Sequence, residues 1–147
     1  MKYTLIIDDA KEEEVVVTVR QPNALTEKIE SLVQQYNGTD RLIAHWEDDV
    51  VLLPYCQIEC ITVLDGKTYA IDSKGRHLRV KQRLYELERI LPDSFIRINK
   101  SSLANENALE QFCATYSGGI DALFRSGYRE YVSRRCFTQI KRRFAGK

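Results

Sequence analysis

Six side chains have the types and spacing to grip a polyanion: Lys67, Asn99, Lys100, Ser101, Arg134 and Arg135. Asn99-Lys100-Ser101 follows directly on the apolar, β-forming run Phe95-Ile96-Arg97-Ile98. A strand that ends by turning Asn, Lys and Ser outward holds hydrogen-bond donors on a rigid mount. Such donors suit phosphate oxygens and base edges, and they cannot fill a core. Ser133 is a plausible N-cap, which places Arg134 and Arg135 in the first turn of a helix. Cations there oppose the helix dipole at about 0.3–1 kcal/mol each. An anion bound beside the free N–H groups would offset that cost. Lys67 follows Asp65-Gly66, a two-residue hairpin signal, so its ammonium sits at an open tip.

The elements that must position these groups are mostly short strands. Period-two patterning and turn signals predict strands at Leu42–Trp46, Val50–Leu53, Ile58–Leu64, Lys67–Asp72, His77–Val80, Phe95–Ile98, Leu109–Tyr116, Ile120–Phe124 and Tyr128–Val132. A short helix is expected over Gln82–Leu91, ended by Pro92, and a last one from Ser133 with Phe137, Ile140 and Phe144 on its apolar side. Residues 1–39 read as a small ββα extension. Tyr3, Leu5 and Ile7 mark one strand, and Val15, Val17 and Val19 the next. Pro22-Asn23 opens a helix with Leu25, Ile29, Leu32, Val33 and Tyr36 on one face, closed by Asn37-Gly38. Two strands and a helix are too little for an independent core. The extension must pack either on residues 40–147 or on a second copy of the chain.

Charge divides the chain. Residues 1–60 hold 5 Lys+Arg against 12 Asp+Glu, net −7, and residues 61–147 hold 17 against 9, net +8. The stretch Arg125–Lys147 carries eight basic residues and one acid, Glu130. A polyanion partner for the second half follows more naturally than an idle basic face.

Other chemistries are poorly supplied. Cys56 and Cys60 lack a second nearby pair for zinc, and His45 and His77 are isolated. All four cysteines (Cys56, Cys60, Cys113, Cys136) read as reduced core thiols. Gly118-Gly119 lacks the Lys-Ser/Thr of a phosphate-cradling loop. Neither histidine neighbours a nucleophile, so no enzyme and no cofactor is expected. No apolar run is long enough to span a bilayer, and Met1-Lys2-Tyr3 opens without a signal sequence, so the expected location is the cytoplasm.

The stretch Phe95–Asn105 resembles the F-x-R-x-H-[RK]-S-x-x-V-N motif of the LytTR DNA-binding domain, a family of bacterial transcriptional regulators. Phe95, Arg97, Lys100, Ser101 and Asn105 keep the pattern, while Asn99 stands for the usual His and Ala104 for the usual Val. Tyr131-Val132-Ser133-Arg134-Arg135 is similar to that family's V-S-R-[RK]-[YF] strand end, with the aromatic one position late at Phe137. The likeness spans about Leu42 to Phe144. It implies a mainly β, LytTR-type antiparallel fold with two short helices, whose loops and strand ends enter the major groove of double-stranded DNA. Within that picture Lys100 and Arg135 would read guanine edges, Lys67 and Arg134 would anchor phosphates, and Asn99 and Ser101 would assist.

The preferred use of the extension is dimerisation, giving a homodimer on paired half-sites, and no small-molecule substrate is expected. Only about 40 residues precede the domain, too few for a phosphorylated receiver. A separately encoded, membrane-bound regulator is the expected control. The acidic segment Asp8–Glu14 is the expected contact for that regulator. The alternative function is a protein-binding module in a signalling pathway that meets its partner through the acidic N-terminal half, with DNA binding weak or nonspecific.

Overall fold

Antiparallel pairing builds a seven-stranded sheet from β1 (Arg41–Trp46), β2 (Asp49–Pro54), β3 (Ile58–Leu64), β4 (Lys67–Asp72), β5 (His77–Val80), β6 (Phe95–Asn99) and β7 (Ser102–Asn105), in the order β2-β1-β5-β4-β3-β7-β6. A second, three-stranded sheet holds β8 (Leu109–Ala114), β9 (Ile120–Phe124) and β10 (Arg129–Val132), in the order β10-β9-β8. This computed structural model describes residues 1–37 and 40–145, so the expected closing residue Gly38 lies outside the described residues. The chain divides into two units, Met1–Asp40 and Arg41–Lys147. The first holds helix α1 (Ala24–Asn37), and the second holds α2 (Leu84–Ile90) and α3 (Arg134–Ala145).

In the second unit the large sheet is covered on both faces. On one side Leu84 and Leu87 of α2, with its C-cap Leu91, pack against Leu42, Leu53, Ile61, Leu78 and Leu103. On the other side the small sheet and α3 bury Phe124, Val132 and Ile140 against Cys60, Ile71 and Ile98. Double coverage explains why β3 is apolar along most of its length rather than alternating. A bulge between Ile58 and Cys60 puts Ile58 and Ile61 in the same cluster despite their odd spacing. It also frees the buried Glu59 carboxylate to accept from the Ser126 N–H at 3.0 Å and from the Ser126 hydroxyl, a latch between the two sheets.

The turn at Asp65-Gly66 is type I′, with φ of +52° and +76°. Ser133 caps α3, its Oγ accepting from Cys136 N–H at 3.2 Å. Ser102–Asn105, not among the expected strands, is a buried strand, because β3 and β6 flank it and satisfy its backbone on both sides. Of the four cysteines expected in the core, Cys60 alone is fully buried; Cys56 is exposed, and Cys113 and Cys136 are half-buried. All are free thiols. Burial, reinforced by the negative charges of Glu130 and Glu59, holds the Cys60 thiol well above its ordinary pKa.

The first unit departs from expectation. Asn23 and Thr26 cap α1 reciprocally: Asn23 Oδ1 accepts from Thr26 N–H at 3.1 Å and Thr26 Oγ1 from Asn23 N–H at 3.0 Å. The two strands expected at Tyr3–Ile7 and Val15–Val19 are absent among the described residues, and both segments lie largely exposed as irregular chain. Strands need a partner ladder, and each segment's backbone is unpaired among the described residues. No helix among the described residues is long and apolar enough to cross a membrane.

Candidate nucleic-acid interface

The three separate basic motifs meet at one end of the large sheet. Lys67 is paired with Leu64 across the β3–β4 turn, and Val63 N–H, one residue before Leu64, donates to Ser101 O at 3.0 Å. Lys67 therefore stands about 10 Å, two strand spacings, from the β6–β7 turn that carries Lys100. The same turn is clamped to the start of α3. Ser133 N–H donates to Ile98 O at 2.9 Å, and Asn99 Nδ2 donates to Tyr131 O at 2.6 Å. Arg134 and Arg135 follow immediately in the first helical turn.

Lys67, Lys100, Arg134 and Arg135 are all exposed, and none of them makes an ion pair among the described residues. Charged groups held rigidly by backbone bonds and left without counter-charges form a rim suited to an anionic ligand. Ser101 is half-buried, its N–H donating to Asn99 Oδ1 at 2.7 Å.

Asn99 corrects the reading from sequence. Strict alternation would place its side chain beside Arg97 and outward. The register of β6 against β7 shifts between Arg97 and Asn99, and this bulge turns Asn99 toward the small sheet, where it is only 7% exposed. Both ends of its amide are already bonded, so Asn99 shapes the turn rather than presenting a free donor. Arg97 supports the same turn from outside, donating to Lys100 O at 2.7 Å and pairing with Glu88 at 2.6 Å. Asn105, the last motif residue, is buried and donates to Ile58 O at 2.9 Å.

Sequence reasoning missed Lys81. Thr68 pairs with Val80, so the next residue out on each strand is Lys67 on β4 and Lys81 beyond β5, neighbours on the same rim and both exposed. The hairpin register was the signal that could have found it. The β8–β9 turn, with the fully exposed Tyr116, lies at the end of the small sheet that carries Val132 and Ser133.

The chain is similar to known proteins over most of its length. The family profile described as LytTr DNA-binding domain matches residues 48–145. Proteins of Staphylococcus aureus strains MSSA476 and COL, both called uncharacterized HTH-type transcriptional regulators, are 29% and 28% identical over 148 residues, covering 99% of this chain and 99% of each relative. In this chain α2 and α3 are separated by five strands, so the described residues of the second unit contain no helix-turn-helix. A solved LytTr DNA-binding domain from a Bacillus cereus response regulator superposes with a TM-score of 0.63 at 23% identity, covering 70% of this chain and 94% of that domain.

Proposed function

The chain belongs to the LytTR DNA-binding domain family and is a DNA-binding transcriptional regulator, and from that premise we propose how its rim reads a duplex. Lys100 and Arg135 enter the major groove and pair with guanine O6 and N7, for which both side chains carry the donors. Lys67, Arg134 and Lys81 hold phosphates on either side. Ser101 adds a short hydrogen bond, and Asn99 acts indirectly by fixing the turn that aims Lys100. The observation that carries this reading is the Ile98–Ser133 and Asn99–Tyr131 pair of hydrogen bonds, which binds two basic motifs into one surface.

The reading extends to a homodimer on paired half-sites, since one rim covers few base pairs and a two-fold protein matches a palindromic site. It assigns the protein to the cytoplasm, where its DNA is, and gives it no catalytic role. A separately encoded membrane-bound protein is the regulatory partner, supported by the family resemblance and by the exposed acidic link Asp8–Glu14.

A mobility-shift titration with DNA from upstream of the protein's own gene, across a salt series, tests the reading. Retention of that fragment over unrelated duplex, with a steep fall as salt rises, is expected. Equal, weak retention of every duplex would overturn it.

A further inference from the structure

Val15-Val16-Val17-Thr18-Val19 is the most strongly β-forming run in residues 1–40. Yet among the described residues it forms no strand, makes no backbone hydrogen bond, and leaves Val15 62% and Val16 74% exposed. Tyr36 Oη donates to the Glu13 carboxylate at 3.3 Å, which holds the start of the run near the end of α1 without covering its backbone. The run is anchored and unpaired.

In one register the run would meet like charges on the other apolar segment of its own chain. The hairpin register that sets Val15, Val17 and Val19 opposite Ile7, Leu5 and Tyr3 also sets Glu14 opposite Asp8 and Arg20 opposite Lys2. Like charges would then face each other at both ends, which is destabilising for directly opposed residues. Pairing the run with itself reverses the sign. Antiparallel about Val17, two copies set Val15 against Val19, and Glu14 of each copy against Arg20 of the other. Two-fold symmetry makes both ends attractive at once. Neither Glu14 nor Arg20 makes an ion pair within the chain among the described residues.

We propose that Val15–Val19 is the docking strand for a second copy of this chain, paired antiparallel about Val17, with the two Glu14–Arg20 contacts fixing the register. The two-fold ladder bonds the backbone along one edge of each run and sets the valines of the two copies side by side. It rests on the dimer reading above and locates the interface that reading requires.

Sedimentation equilibrium on the full chain, in about 0.1 M salt where surface charges still act over roughly 10 Å, tests it with two variants. Glu14→Lys alone places Lys opposite Arg20, and Arg20→Glu alone places Glu opposite Glu14. Each is expected to raise the dimer dissociation constant about tenfold or more. An equimolar mixture of the two should associate as tightly as the wild type. Across that heterodimer the introduced lysine meets the introduced glutamate, and the remaining Arg20 meets the remaining Glu14. If either variant alone dimerises like the wild type, or the mixture fails to associate, this interface is wrong while the dimer reading stands. A wild-type chain that stays monomeric at every concentration overturns both, and leaves DNA retention in the mobility shift to be judged separately.

Discussion

Asn99 Nδ2 sits 2.6 Å from the main-chain oxygen of Tyr131, a bond between residues 32 positions apart that joins the β6–β7 turn to the strand feeding α3. Asn99 Oδ1 simultaneously accepts from Ser101 N–H, so one buried amide sets both the shape of the turn and its distance from the helix. Replacing Asn99 by Ala strands a carbonyl and an N–H, at a cost of about 2–3 kcal/mol. Urea unfolding should show that loss directly. DNA affinity should fall as well, although Asn99 itself presents no free donor to the duplex. An unchanged urea midpoint would show the clamp to be dispensable.

The rim residues should separate into two behaviours in fluorescence-anisotropy titrations. Arg135→Ala is expected to cost about 1–3 kcal/mol on a cognate site and to relax base preference at one position. Lys67→Ala and Lys81→Ala should instead weaken all duplexes alike, each lowering the salt slope by about one. A sequence-dependent effect at Lys81 would move it from phosphate to base contact.

Stability should fall at alkaline pH. Tyr128 is held above its ordinary range by burial first and by its hydrogen bond to Glu130 second, and Cys60 is raised by burial and the same acid. Both groups favour their neutral forms in the fold. Their contribution is thus fully present below the ordinary thiol and phenol range, around pH 9 to 10, and is lost as pH climbs toward the raised values. Thermal melts of the wild type should drop steadily above about pH 9. Tyr128→Phe removes one titrating group while keeping the ring beside Phe124, and should flatten that limb. A parallel limb in the variant would exclude Tyr128 as a source.

Glu59→Ala should loosen the latch between the sheets, since Glu59 is the acceptor for both the Ser126 N–H and hydroxyl. A loss of about 1–3 kcal/mol is expected by urea unfolding. The latch is at the end of β3 away from Lys67, so DNA affinity measured well below the unfolding transition should be unchanged.

Much of the fold is legible in the residues because it is set locally. Asp65-Gly66 demands a type I′ turn whatever surrounds it, and β3, β4, β5 and β9 run between the residues expected. Ser133 and Asn23 cap their helices as their side chains allow. The failures have non-local causes. Ser102–Asn105 carries too few apolar residues to announce a strand, and becomes one because β3 and β6 lie on either side, with Ser102 and Thr62 hydroxyls 2.9 Å apart across forty residues. Tyr3–Ile7 and Val15–Val19 have strand patterns but find no partner ladder among the described residues.

Which groups carry charge, where the chain turns and which runs favour β structure can be read directly from the residues, since these follow from side-chain chemistry and neighbouring dihedral preferences. Which of those groups share a surface depends on long-range packing. The β6 bulge turned Asn99 inward, and strand order brought Lys67, Lys81, Lys100 and Arg135 to one end. Those outcomes depend on hydrogen bonds between residues 30 to 40 positions apart, such as Asn99 with Tyr131 and Val63 with Ser101, and no local pattern encodes them.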